Sequence, residues 1–410
     1  MDAIVECCAG LDVHRDSVVV CINKGTAHQR TQKTVRTFGT TRAGLGQLRE
    51  WLLAEGCTLA AMESTGIYWR PVHAMLEDHL DVIVGNAQHM KNVPGRKTDV
   101  KDCEWISELT RHGLIARSFV PPRPIRALRD LTRYRRKLSQ TQATERNRLI
   151  KLLESTSIKL SGLISDVFGV SGQAMLRALI EGKETPEEMA QHARRRMRSK
   201  IAALAQALNG TMEEHHRFLL GQQFNRIKAA EADLEEIDGR IRQMLVPYAG
   251  QMRRLLKLPG VDWVTAATVI AEIGVDMSAF HSAEHLASWA GLCPGNNRSA
   301  GKQRSARVRK GNLHLKAALV TAAVVVAKQR GTFWGEKHRR LRARRGEMRA
   351  HVAIAHKILV AAYHVLEADA DYVELGPTYL DRIDDQRTMR HLTRRIESLG
   401  YEVEIKPKAA

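Results

Sequence analysis

AGLDVHRDSVVVCI, from Ala9 to Ile22, places two short apolar runs on either side of a polar corner, the pattern of two strands joined by a turn. TVRTFG, from Thr34 to Gly39, supplies a third strand, so a meander comes first. Working outward, the pattern predicts a helix from Arg42 to Glu55 and a short strand in TLAAMEST that ends at Glu63. A helix near Trp69 to Glu77 and a strand in DVIVGN, Asp81 to Asn86, follow. Strands that first meander and then alternate with helices make an α/β domain with a mixed sheet.

After the loop VPGRKT, the segment DVKDCEWISELTRHG carries Val100, Cys103, Ile106, Leu109 and Thr110 at near-helical spacing. Asp99 is expected to open this helix and Gly113 to stop it. PPRP at Pro121 to Pro124 then breaks the chain, which predicts a domain boundary near residue 120. The next region reads as almost strand-free, with a basic helix from about Ile125 through Leu153. Near its end Leu220, Ile227, Leu234, Ile241 and Tyr248 recur every seven residues, interleaved by Ala230, Ile237 and Met244. That seam fits an antiparallel hairpin within one chain, a coiled coil between chains or ordinary packing in one domain. The expected organisation is residues 1–120, 121–250, 251–370 and a C-terminal extension over 371–410.

LPGVDWVTAATVIAEIG, Leu258 to Gly274, reads either as a helix-hairpin-helix element whose turn amides hold a DNA phosphate or as an ordinary helical hairpin. The most apolar run, AALVTAAVVVA from Ala317 to Ala327, is too short for a membrane span and is expected to be a buried helix.

With 410 residues, 44% hydrophobic, 27% charged and a mean hydropathy of −0.31, the chain has the balance of a folded protein of several domains. Its 64 Lys and Arg against 45 Asp and Glu give a formal charge of +19, which favours a polyanionic partner. Aromatic residues are only 5%, so phosphate contacts are favoured over base-stacking platforms. Six cysteines without a CxxC pair fit a reducing compartment, and the start MDAIVECCAGLDVH carries acids where a signal peptide needs a basic region. A cytoplasmic protein is expected.

Asp12 lies in an apolar strand context, where a carboxylate is costly to bury without a cation. Glu63 ends a strand, and strand ends in α/β domains are where functional side chains converge. Asp99 and Asp102, three apart at a helix start, share a face beside the positive end of the helix dipole. Four such oxygen donors suit Mg²⁺ or Mn²⁺. The bland readings are a helix cap for Asp99, surface charge for Asp102 and a turn hydrogen bond for Glu63. Asp16 is read as facing water.

Between Gly291 and Ala350 there are 16 Lys or Arg and only two acids, Glu336 and Glu347, which marks the expected phosphate-binding face. Ser299 lies there among turn-forming residues, with Lys302, Arg304, Arg307, Arg309 and Lys310 close by in sequence. A serine needs a base or a metal to become a nucleophile, and the five cations can stabilise charge developing on a phosphate. From spacing alone, Ser299 and Ser305 read equally as turn residues. His314 reads as a packing or surface residue more readily than as a base.

GLDVHRDSVVV, MESTGIYWRPV, RKTDVKDCEWISELTRHG and VPPRPIRALRDLTRYRR resemble the transposases of the insertion sequence 110 family. LPGVDWVTAATVIAEIG, GLCPGNNRSAGKQRSARVRKGNLHLKAALV and RLRARRG follow in that family's order, so the likeness spans roughly residues 8 to 368. The resemblance implies a RuvC-like (ribonuclease-H-like) domain, a helical coiled-coil arm and a mainly helical serine-transposase domain. It implies that Asp12, Glu63, Asp99 and Asp102 form a metal-binding tetrad and that Ser299 is the nucleophile. It further implies double-stranded donor and target DNA, a structured non-coding guide RNA, and a homodimer that assembles to a tetramer on DNA. Ala300 stands where the family often has glycine. Competing readings are a metal-dependent nuclease or junction resolvase that activates water, and a non-catalytic nucleic-acid-binding protein.

Overall fold

The computed structural model describes residues 4–26, 31–91, 93, 102–295, 297–299, 302–305, 307–383 and 385–405. The chain divides into two compact units, Met1–Val120 and Pro121–Ala410.

In the first unit, strands β1 (Cys7–Val13), β2 (Ser17–Lys24) and β3 (Gln32–Gly39) form the meander. Helix α1 (Arg42–Ala54), strand β4 (Leu59–Glu63), helix α2 (Trp69–Leu76), strand β5 (Asp81–Gly85) and helices α3 (Ala87–Lys91) and α4 (Asp102–Arg111) follow. The sheet order is β3-β2-β1-β4-β5, antiparallel through the meander and parallel for β1, β4 and β5. Strand alternation sorts the core onto two faces. Ala9, Leu11, Ala60 and Met62 pack with Leu48 and Leu52 of α1 and Val72 and Leu76 of α2. Cys8, Ala61 and Ile83 pack with Ile106 and Leu109 of α4.

The second unit opens with the 33-residue helix α5 (Arg123–Ser155), whose first turn contains Pro124, where a missing N–H costs nothing. Then come α6 (Leu160–Leu163), α7 (Val170–Glu181), α8 (Pro186–Ala190), α9 (Ile201–Leu208) and the 32-residue α10 (Glu214–Leu245). Helices α5 and α10 pair antiparallel, because Arg135 meets Asp238 while Arg146, further along α5, meets Glu231, earlier on α10. The far end of the pair is closed by a core of Leu149, Leu153, Met175, Leu176, Leu204 and Leu220.

The seven-residue repeat therefore has a partner in its own chain, and of its interleaved positions Ala230 is buried as expected while the others differ. Phe224 and Leu245 are buried, whereas Ile237 and Met244 are only half-buried. At the spacing that continues from Phe224, Glu231 and Asp238 take up Arg146 and Arg135 instead of apolar side chains.

The remaining elements are α11 (Ala249–Leu255), α12 (Trp263–Ile273), α13 (Ala283–Trp289), strands β6 (Asn297–Ser299) and β7 (Lys302–Ser305), α14 (Leu313–Lys328), α15 (Phe333–Arg345), α16 (Glu347–Glu367), α17 (Tyr379–Arg382) and α18 (Asp385–Glu397). The Pro-Gly turn before α12 is packed: a side chain on Gly260, at φ +76°, would strike the carbonyl oxygen of Ala322 at 2.4 Å. Asp262 caps α12 by accepting from the Thr265 amide at 2.8 Å. Helix α14 is only partly the buried helix expected, since Leu315, Leu319 and Val326 face the core but Val324 and Val325 are exposed. Among the described residues, no helix is long and apolar enough to cross a membrane.

Candidate active site

Asp12 and Glu63 stand at the C-terminal ends of neighbouring parallel strands. The β1–β4 register runs from Cys8 opposite Leu59 to Leu11 opposite Met62, and one more step sets Asp12 beside Glu63. By alternation both acids share a face with Gly10 and Ala61, the face that α4 covers. Helix α4 runs antiparallel to β1: Arg111 reaches the Glu6 carbonyl, Ser107 accepts from the Cys8 thiol at 3.5 Å, and Cys103 lies over Gly10. The N-terminus of α4, where Asp102 stands exposed, is thereby directed to the strand ends that carry Asp12 and Glu63.

Two further contacts define the acids. His14 Nε2 lies 3.0 Å from an Asp12 oxygen, and the Thr65 hydroxyl donates to Glu63 at 3.0 Å. The Asp12 side chain is 28% exposed, so solvent reaches it. The Cys103 thiol is pushed up to about 11, chiefly by burial, with the Asp12 charge among the smaller contributions, so that carboxylate acts on the start of α4. Asp99 falls outside the described residues, and the helix it was expected to open is described from Asp102. Asp16 is solvent-facing, its side chain 86% exposed.

The donors at this edge are hard oxygens, the chemistry a divalent cation such as Mg²⁺ takes. As their side chains stand, Asp12, Glu63 and Asp102 do not gather within 4.8 Å. Among the described residues the one trio that does is Glu213, His215 and His216 at the start of α10, which includes none of these acids.

In the second unit Ser299 ends β6 and pairs with Lys302 of β7. The base of this hairpin is closed by the Pro294–Val308 bridge and by the Gly295 amide donating to the Arg307 carbonyl at 2.9 Å. Arg304 lies on β7, while Arg307, Arg309 and Lys310 are exposed on the returning strand. His314, in the first turn of α14, has its pKa lowered by burial and by the Arg133 charge, which favours the neutral ring.

Sequence reasoning passed over Glu272. It is fully buried in the last turn of α12, and Arg133 of α5 grips its carboxylate through two hydrogen bonds of 2.7 and 2.8 Å. Asn312 donates to the same carboxylate at 2.6 Å, and Arg129 lies 3.3 Å away. Burial alone would raise the pKa of Glu272, but these partners outweigh it and hold the carboxyl below its usual range.

Two family models match the chain. The DEDD transposase model of IS110 type covers residues 9–158, and the model described as "Transposase IS116/IS110/IS902 family" covers residues 252–350. Residues 9–158 and 252–350 are thus similar to IS110-type transposase domains. Its curated relatives include the transposase for insertion sequence element IS1111A of Coxiella burnetii, 33% identical over 109 residues. That match covers 26% of this chain and 30% of the relative. The insertion element IS900 uncharacterized 42 kDa protein of Mycobacterium paratuberculosis is 23% identical over 249 residues, covering 52% of this chain and 60% of the relative. The chain thus spans less than two thirds of either.

The first matched region contains Asp12, Glu63, Asp99 and Asp102. The second contains Glu272, Ser299 and the five cations from Lys302 to Lys310. The signal that would have found Glu272 is the one applied to Asp12: a single acid inside an apolar run, here VIAEIG, needs a compensating cation.

Proposed function

We propose that this chain is a DNA transposase that joins donor and target DNA through a covalent phosphoserine formed on Ser299, guided by a structured non-coding RNA. The observation that carries the reading is the placement of Asp12 and Glu63 side by side at the ends of β1 and β4, with the N-terminus of α4 directed at them. In chain order Asp12, Glu63, Asp99 and Asp102 spell the four letters of the DEDD family, and the sheet order fits a ribonuclease-H-like, RuvC-like domain.

In this reading the serine oxygen forms a bond to a DNA phosphorus as the bond from that phosphorus to a deoxyribose oxygen breaks. A proton passes from the serine to solvent and another returns to the leaving strand. Attack by a hydroxyl of the second duplex reverses the step, freeing Ser299 and leaving no net hydrolysis. Lys302, Arg304, Arg307, Arg309 and Lys310 stabilise charge on the phosphate oxygens. Asp12, Glu63, Asp99 and Asp102 hold a divalent cation, Mg²⁺ or Mn²⁺, whose chemistry is to lower the pKa of an attacking oxygen and neutralise the phosphate. The acids of one protomer serve the serine of another in a homodimer that becomes a tetramer on two DNA duplexes. The protein acts on DNA in the cytoplasm.

The test is a labelled duplex carrying the ends of the element, incubated with protein, guide RNA and Mg²⁺ and run under denaturing conditions. A protein–DNA adduct is expected, lost with Ser299→Ala, with Asp12→Asn, on chelation of metal and on omission of RNA. Hydrolysed ends formed without an adduct, undiminished in Ser299→Ala, would establish water-activating nuclease chemistry instead.

A further inference from the structure

We propose that Glu272 is a positioning residue for the Ser299 hairpin, acting through Asn312. The inference rests on the serine mechanism above. Asn312 performs two tasks at once. Its side-chain oxygen caps α14, accepting from the His314 and Leu315 amides at 3.1 Å each, while its side-chain nitrogen donates to Glu272 at 2.6 Å. The residue before it, Gly311, is pressed against the other root of the hairpin: a side chain there would lie 2.4 Å from the Gly291 nitrogen. With the roots in contact and the base closed by the Pro294–Val308 bridge, the strand bearing Ser299 is tied at its base to the segment that leads to Asn312.

Helix α5 holds the other side of the tie. Arg129, Arg133 and Arg136 follow at helical spacing on one face. Arg129 donates to the Ala271 and Glu272 carbonyls at 3.0 and 2.7 Å, Arg133 takes the carboxylate, and Arg136 donates to the Leu313 and His314 carbonyls at 3.2 and 3.3 Å. One face of the long helix thus grips the end of α12 and the start of α14, and Glu272 is the acceptor that joins them. For a nucleophile that must meet phosphorus in line, a shift of about 1 Å costs on the order of 100-fold in rate.

Asn312→Ser separates the two tasks, because serine ranks with asparagine as a cap but is too short to reach Glu272 while capping. The full-length variant is compared with wild type by hydrogen exchange in the free protein, by Kd for the element-end duplex, and by the rate of adduct formation at saturating DNA. The expected result is at least tenfold faster exchange at amides 297–299 and 302–305, unchanged exchange at 318–328, a Kd within twofold and an adduct rate at least tenfold lower. Glu272→Gln, which keeps an acceptor for Arg133, is expected to lose less. The double variant is expected to be no slower than Asn312→Ser, since both cut one tie. If Asn312→Ser misfolds, Glu272→Gln carries the same comparison against Kd.

Hairpin exchange and an adduct rate both within twofold of wild type in Asn312→Ser would overturn the inference, as would a loosened hairpin with an unchanged rate. If Ser299→Ala still forms the adduct, the serine mechanism itself has failed. Hairpin exchange in the free protein identifies that case separately from failure of the tie.

Discussion

A side-chain carbon on Gly10 would lie 2.2 Å from the carbonyl oxygen of Cys103 and 2.3 Å from the Ser107 nitrogen. Helix α4 therefore rests on the bare backbone of β1, and this contact brings Asp102 to the sheet edge where Asp12 stands.

Gly10→Ala should force α4 away from the sheet. The expected cost is about 3 kcal/mol, the upper part of the range for overpacking, because backbone rather than a side-chain tip must give way. A lower midpoint in urea unfolding of the full chain checks this. Gly46→Ala is the control: nothing lies within 4 Å of its added carbon, and in mid-helix alanine should gain about 0.5–1 kcal/mol over glycine. Equal midpoints for the two variants would contradict the packing argument.

Glu272 makes stability sensitive to acid. Its folded pKa lies below the ordinary carboxyl value of about 4.3, so its contribution is complete above that value and is lost as pH falls through the folded pKa. Unfolding of wild type against Glu272→Gln from pH 7 to pH 3 should show a steeper loss in wild type below about pH 4.5. Parallel curves would remove the assignment. Glu272→Ala, which leaves Arg133 and Asn312 without their acceptor, should cost about 3–5 kcal/mol at neutral pH.

His338 gives a second slope at milder pH. The ring is buried and stacked on His351 at 4.8 Å, and its pKa is lowered first by burial and then by the His351 charge. A folded pKa below the unfolded value of about 6.5 means full stability above that pH and progressive loss below it. Thermal melts between pH 7.5 and pH 5 should show the fall, and His338→Leu should flatten it.

Asp238 and Arg135 interrupt an apolar seam, and both are more than four fifths buried. Asp238→Leu alone should cost about 2 kcal/mol by stranding the guanidinium. Asp238→Leu combined with Arg135→Met should restore wild-type stability or exceed it by about 1 kcal/mol. A double variant as unstable as the single one in a thermal melt would show that the pair is a net stabiliser.

The meander, the Glu63 strand end and the turn-rich basic stretch around Ser299 were all legible in the sequence, whereas the short strands β6 and β7 that frame that stretch were not. Each of the three is a local pattern: alternation between Ala9 and Ile22, an apolar run stopped by an acid, and glycine-rich punctuation around Ser299. The partner of the α10 repeat was not legible, because a seven-residue period states that a helix has a partner but not which one. Its true interface reads through Glu231 and Asp238, charges that look like surface until Arg146 and Arg135 are set against them. Glu272 was overlooked for the same reason. Its meaning depends on Arg133, 139 positions earlier, and on Asn312, 40 positions later. The neighbouring positions of Asp12 and Glu63 follow from a parallel register that the sequence does not state.

At 1.5 Å per residue the 33-residue helix that begins at Arg123 reaches about 50 Å. Its grip on Glu272 lies within the first third of that length, and the remainder extends as a stiff antiparallel pair to the globular cap around Leu153 and Leu204. Such a beam has leverage. A 5° tilt of the pair about the Arg133 clasp would move its far end, about 33 Å away, by about 3 Å, and the torque would arrive where three arginines clasp the segment leading to the Ser299 hairpin. Whatever grasps the tip has a mechanical handle on that hairpin.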